Sequence, residues 1–204
     1  LEFRRVLFRS LIGAIIGLWF SLRSNWLLII IGLAAIAAAW YYTGGKSPYG
    51  YKGLGEISVF IFFGLVATIG TYYGVTNTVS VWAILLGIQM GLLACAILAI
   101  NNLRDLPKDS EVGKRTLAVR LGDDGARKLL VWLIIAAFVI QLLFIKLTPM
   151  AVLPVMMVPF AIRTIAAVRG GAKGADLIPT LGSVAKLQML MSLWIVIALV
   201  GSKP

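Results

Sequence analysis

The chain has 204 residues, 60% of them hydrophobic and 13% charged, with a mean hydropathy of +0.97 and a formal net charge of +11. Soluble domains run nearer half apolar and about a quarter charged, so this composition excludes a soluble globular enzyme, a disordered protein and a nucleic-acid-binding domain. Histidine is absent and Cys95 is the single cysteine, which excludes a disulfide framework, a Cys/His zinc site and His-based nucleophilic catalysis.

In chain order, residues 1–10 read as a non-native leader. LEFRRVLFRS lacks an initiator Met and has no clear relation to the apolar stretch after it. Its arginines imitate a signal peptide, but no small-residue cleavage site follows. Residues 11–204 are expected to be one membrane domain that has lost its natural start. Seven apolar runs are candidate spans, at 11–22, 26–42, 57–74, 80–100, 129–147, 150–168 and 183–201. Crossing about 30 Å of hydrocarbon takes roughly 20 helical residues. The runs lack the period-2 alternation of a β-barrel, and helices satisfy their own backbone hydrogen bonds in lipid. The predicted fold is all-α, a polytopic bundle of about seven helices in a lipid bilayer. The glycine pairs Gly13/Gly17, Gly70/Gly74 and Gly87/Gly91 are expected at close helix contacts. Gln89, Gln141 and Gln188 are expected to bond between helices, and Cys95 to be inert packing.

Alternating spans put 1–10, 43–56, 101–128 and 169–182 on one side. With the nearby span ends, that side holds 16 of the 19 basic residues and all eight acidic ones. Arg23, Lys146 and Lys203 fall on the other. Without the leader's three arginines the ratio is 13 of 16. The positive-inside rule makes the charged side cytoplasmic, so any chemistry is expected at the cytoplasmic face.

The first charged loop, 42–56, carries Gly44, Gly45, Gly50, Gly53 and Gly55. It lacks the spacing and the Lys-Ser/Thr ending of a Walker loop. It suits an interfacial turn with Tyr41, Tyr42, Tyr49 and Tyr51 as belt residues. It equally suits a flexible cap over a site, with Tyr49 and Lys52 as substrate contacts, Lys52 facing an aromatic carboxylate and Glu56 near an acceptor hydroxyl.

The second charged loop contains Asn101-Asn102-Leu103-Arg104-Asp105-Leu106-Pro107-Lys108-Asp109, followed by Lys114 and Arg115. Asn101, Asp105 and Asp109 are spaced i, i+4, i+8 and would share a helix face. Pro107 biases Leu106 away from helix and predicts a kink between the aspartates. Two carboxylates one turn apart repel unless a cation lies between them. Mg²⁺ suits that place, since it takes carboxylate oxygens, keeps waters and completes its shell with phosphates. Arg104, Lys108, Lys114 and Arg115 can hold the remaining oxygens of a diphosphate. The same charges also suit plain local ion pairs, Asp105 with Lys108 and Glu111 with Arg115.

The run NNLRDLPKDSEVGKRTLAVRLG resembles the second aspartate-rich motif of the UbiA superfamily of membrane prenyltransferases. Its GKRTLAVRLG tail is similar to the branch that acts on 1,4-dihydroxy-2-naphthoate in menaquinone synthesis. YTGGKSPYGYKGLGE at 42–56 resembles the motif after the family's fourth helix. The resemblance implies helices three to nine of a nine-helix fold in a bacterial cell membrane, with the active site facing the cytoplasm. It also implies Mg²⁺-dependent transfer of a polyprenyl group from polyprenyl diphosphate to 1,4-dihydroxy-2-naphthoate, with loss of CO₂, giving demethylmenaquinone. Asp105 and Asp109 are then metal ligands, Asn101 and Asn102 support them, and Lys114 and Arg115 contact the diphosphate. The family has a second such motif upstream. Before Asp105 this chain has only Glu2 and Glu56, so the 204 residues alone are expected to be inactive. Another aromatic acceptor is the close alternative. A polytopic transporter or scaffold is the more distant one; transporters usually place ionisable groups near the midplane, and these span centres carry no charge.

Overall fold

The computed structural model describes residues 2–201, with side chains from residue 11 onward. Among these residues the chain forms no strand, one separate 3₁₀ turn and seven longer helical segments. They are α1 (Glu2–Arg23), α2 (Leu27–Thr43), α3 (Gly55–Thr76), α4 (Val81–Glu111), α5 (Leu117–Lys146), α6 (Pro149–Arg169) and α7 (Gly174–Gly201). Helices α3 to α7 are long and apolar enough to cross a membrane, while the apolar part of α1 (Leu11–Arg23) and α2 are shorter. This is the all-α polytopic bundle that the hydropathy predicts.

Helix α4 is the hub. Its Leu93, Ala96, Ala99, Ile100 and Leu103 are buried against Leu130 and Ile134 of α5, Ala161 and Val168 of α6, and Leu177, Leu187 and Met191 of α7. Small residues let α3 lie against it. A Cβ on Gly64 would sit 2.4 Å from the Gly91 Cα and 2.7 Å from the Gly87 carbonyl oxygen. The glycine expectation therefore holds for Gly87/Gly91. Gly13, Gly17 and Gly70 meet nothing within 4 Å. Across the core, Gln89 donates to Gln141 Oε1 (2.8 Å) and to the Ala137 carbonyl (3.1 Å), and Gln141 donates to the Ala151 carbonyl (2.8 Å). These amides join α4, α5 and α6 as expected.

The predicted 101–128 loop is corrected. Helix α4 continues eleven residues beyond position 100, about 16 Å at 1.5 Å per residue. Pro107 lies inside this extension without ending it. A proline near a helix end removes one hydrogen bond, and the flanking turns, anchored by buried Leu103 and Asp109, carry the helix on. Gly113, at φ +74°, then reverses the chain, and the Lys114 N–H donates to the Asp109 carbonyl at 2.9 Å. Thr116 caps α5 by accepting from the Val119 N–H. Gly122 (φ 70°, ψ 176°) breaks the first turn of α5 from the rest.

One end of the bundle gathers the turns around 44–54, 112–116 and 170–173. Just beyond the Gly122 break, Asp123 grips Arg127 with both oxygens (2.7 and 3.0 Å). The Arg127 guanidinium donates to the carbonyls of Val168 and Ala172, capping the end of α6. At the other end, Ser24 donates to Asn77 Oδ1 (2.8 Å) and Asn25 to the Tyr73 hydroxyl (3.0 Å).

Candidate active site

Because α4 stays helical, Asn101, Asp105 and Asp109 do share a face. Asn101 and Asp105 are half-buried and Asp109 is buried. Arg104 forks onto Asp105 (2.8 and 2.7 Å), and Lys114 donates to Asp109 Oδ1 at 2.9 Å. The Asp109 hydrogen bond is the main cause that raises the Lys114 pKa, reinforced by Coulomb attraction to Asp109. The local pairs thus differ from those expected. The reversal at Gly113 brings Lys114, rather than Arg115, back over the helix end.

The glycine-rich segment docks on this turn. Tyr49–Lys52 forms one 3₁₀ turn, and Gly53 follows at φ +78°. The Arg115 N–H donates to the Tyr51 carbonyl (2.9 Å), and Arg120 donates to the carbonyls of Lys52 (2.9 Å) and Arg115 (3.2 Å). The φ of +78° at Gly53 is one that side chains rarely adopt, and a Cβ there would also sit 2.9 Å from the Arg120 Nε, so the turn favours glycine. The Lys114 ammonium lies 4.8 Å from the Tyr51 ring centre. Arg120 was legible only as one charge among many; its clamp role depends on the fold.

Glu56 opens α3 and is buried. Asn102 donates to its Oε1 at 3.0 Å, and the Cys95 thiol donates to its backbone carbonyl at 3.1 Å. Cys95 is buried, as expected, and is part of this tie. Tyr49 packs edge-on against Tyr42, with ring centres 5.5 Å apart. Its hydroxyl donates to the Ala38 carbonyl and is 2.8 Å from Ser58 Oγ. It lines an apolar groove of about 580 Å³ between α2 and α3. The side chains of Lys52, Lys108 and Arg115 are exposed at the rim.

Two cavities flank the aspartate face. One, of about 450 Å³, is lined by Ser110, Lys114, Arg115 and Arg120. The other, of about 530 Å³, runs between α3, α4 and α7, and its wall includes Val59, Ile97, Leu98, Asn101, Leu181 and Gln188. Among the described residues no group of three or more carboxylate or thiol side chains forms a closed metal cage. Asp105 and Asp109 are oxygen donors one turn apart, each facing a cation. That donor set fits a hard divalent ion shared with a phosphate rather than one enclosed by protein.

Known proteins resemble this chain over most of its length. The sequence profile described as "UbiA prenyltransferase family" matches residues 1–176. A 1,4-dihydroxy-2-naphthoate octaprenyltransferase of Mycobacterium tuberculosis is 44% identical over 170 residues, covering 83% of this chain and 58% of the relative. The enzyme of the same name from Mycobacterium leprae is 41% identical over 182 residues, covering 87% and 62%. That from Escherichia coli is 47% identical over 116 residues, covering 57% and 38%. The chain spans about three fifths of the length of the two mycobacterial relatives. The chain belongs to the UbiA prenyltransferase family.

Proposed function

We propose that the protein transfers a polyprenyl group from polyprenyl diphosphate to 1,4-dihydroxy-2-naphthoate, with loss of CO₂, to give the hydroquinone form of demethylmenaquinone. One observation carries the reading: Asn101 belongs both to the aspartate face and to the wall of the 530 Å³ apolar cavity. A charged head and an apolar tail then find adjoining places, as an isoprenoid diphosphate requires. The names of the mycobacterial and E. coli relatives support the choice of acceptor.

Asp105 and Asp109 would hold Mg²⁺, which would neutralise the charge that grows on the leaving diphosphate. Asn101 and Asn102 orient the site. Lys114, Arg115, Arg104 and Lys108 provide donors for the diphosphate oxygens. The glycine loop covers the site, with Lys52 toward the acceptor carboxylate and Glu56 toward its hydroxyl. Tyr49, placed on the α2–α3 groove, contributes by holding the loop through Ala38 and Ser58. The site faces the cytoplasm of a bacterial cell membrane.

The test uses membranes from cells expressing the complete gene, supplied with Mg²⁺, a polyprenyl diphosphate and 1,4-dihydroxy-2-naphthoate. The wild type gives prenylated product with CO₂. Asp105→Ala and Asp109→Ala lose at least about 10²–10³ in rate while the bundle stays folded. Near-normal turnover by Asp105→Ala overturns the assignment.

A further inference from the structure

Glu56 combines three features that the site as described does not use. Among the described residues its exposure is 9%, its Oε2 has no hydrogen-bond partner, and it takes part in none of the four ion pairs. Buried polar atoms are nearly always hydrogen-bonded, so an orphan calls for an explanation. Asn102 fixes Oε1, which leaves Oε2 as the one free acceptor of a carboxyl that cannot swing. The groups facing it are the Tyr42 phenol of α2 and, from α4, the Cys95 thiol and the Asn102 amide. No cation is among them.

The position of the carboxyl matters as much as its isolation. Val59 lies three residues after Glu56, on the same face of α3, and lines the 530 Å³ cavity. On α4, Asn101 lines that cavity and its neighbour Asn102 holds Glu56. Glu56 is thus joined to the cavity wall through Val59 on α3 and through Asn102, next to Asn101, on α4, while its own carboxyl lies outside that wall. Oε2 itself is covered, so an acceptor set between the cavity and the glycine loop must displace that cover to bring a hydrogen-bond donor to it.

We propose that Glu56 is the proton acceptor for the aromatic substrate's hydroxyl, an assignment that rests on the function proposed above. The hydroxyl proton moves to Oε2, and the O–H electron pair enters the ring. The ring carbon ortho to that hydroxyl, which carries the carboxylate, forms its bond to the prenyl C1. The C1–O bond breaks, and its pair leaves with the diphosphate. CO₂ then departs, its bonding pair restores the aromatic ring, and Glu56 returns the proton to the oxygen. No oxidant and no net proton is needed.

Glu56→Gln keeps the shape and an oxygen for the Asn102 amide but cannot take the proton. In proteoliposomes containing the protein from its complete gene, this variant loses about 10²–10⁴ in kcat. The Kd for polyprenyl diphosphate and the KM for acceptor stay within about threefold. The wild-type rate falls on the acid side with an ionisation that Glu56→Gln lacks. Glu56→Asp retains that limb at a reduced rate, and formate partly restores Glu56→Ala. Turnover of Glu56→Gln within about threefold of wild type overturns the proposal. So does a loss that tracks weakened diphosphate binding, which would make Glu56 part of the metal site. Loss of the acid limb in Glu56→Asp, or no response of Glu56→Ala to formate, overturns it as well. If the wild type prenylates no dihydroxynaphthoate, the proposed function fails and this assignment with it. If the wild type is active and Glu56→Gln equally so, only the role of Glu56 fails.

Discussion

Lys114 reaches the buried Asp109 carboxylate at 2.9 Å, and that hydrogen bond lifts the lysine above its ordinary 10.5. The sign of the consequence follows from linkage. A lysine whose folded pKa is raised contributes stability below its unfolded pKa and loses it as pH climbs through the folded one. The pair is therefore intact at neutral and mildly alkaline pH. Its side chain is 33% exposed, so solvent screens the pair and its worth is small. Thermal unfolding in detergent should show Lys114→Met below wild type by a constant margin from neutral pH to about pH 9. The margin closes once pH passes 10.5; a margin that widens there contradicts the pairing. Spacing alone marked Asp105, Asp109 and Lys114 as a set. It did not tell which cation meets which carboxylate, because that choice is made by the reversal at Gly113.

At the scale of elements, α3 and α4 meet backbone to backbone at Gly64, Gly87 and Gly91. An added methyl at Gly64 would land 2.4 Å from a Cα, where no side chain can yield. Gly64→Ala is expected to cost about 1–3 kcal/mol or more, as overpacking does. Gly13→Ala, in open space, should be neutral or stabilising by up to about 1 kcal/mol through helix propensity. Melting temperatures of the two variants in one detergent compare them directly, and equal effects would refute the contact. The sequence ranked the three glycine pairs alike, since a four-residue spacing reveals a small face but not its partner. Hydropathy likewise placed every helix but misjudged the end of α4 and the start of α5, which begins at Leu117 rather than at 129. The apolar run stops where the bilayer does, whereas the polar turns of 101–111 continue the helix without any change in hydropathy to mark it. Pro107 pointed the wrong way because a helix near its end forgoes one hydrogen bond at modest cost.

For the whole molecule, counting charges was enough to place the 42–56 and 101–116 motifs on one side. Their contact was not legible, because it depends on a left-handed Gly53 and on Arg120 reaching back 68 residues to the Lys52 carbonyl. Tyr49 shows the same limit: its tyrosine-rich neighbourhood suited the site, while its hydroxyl is held by α2 and Ser58. The sidedness itself can be tested. Thirteen basic residues from Lys46 to Lys186 belong to the turns and helix ends of the charged face, against Arg23 and Lys146 on the other among the described side chains. Loops rich in Lys and Arg are retained in the cytoplasm. In a Cys95→Ala background, single cysteines at exposed Lys46, Ser110 and Lys173 should resist a membrane-impermeant maleimide in intact cells and react once the membrane is opened. A cysteine at exposed Thr78, in the turn between α3 and α4, should react from outside. The four positions act as one test, because Ser110 lies on α4 about 15 Å beyond position 100 and cannot share a side with Thr78 at the helix's other end. Labelling of Ser110→Cys in intact cells, with Thr78→Cys protected, would invert the bundle and put the aspartate face outside, away from a cytoplasmic supply of prenyl diphosphate.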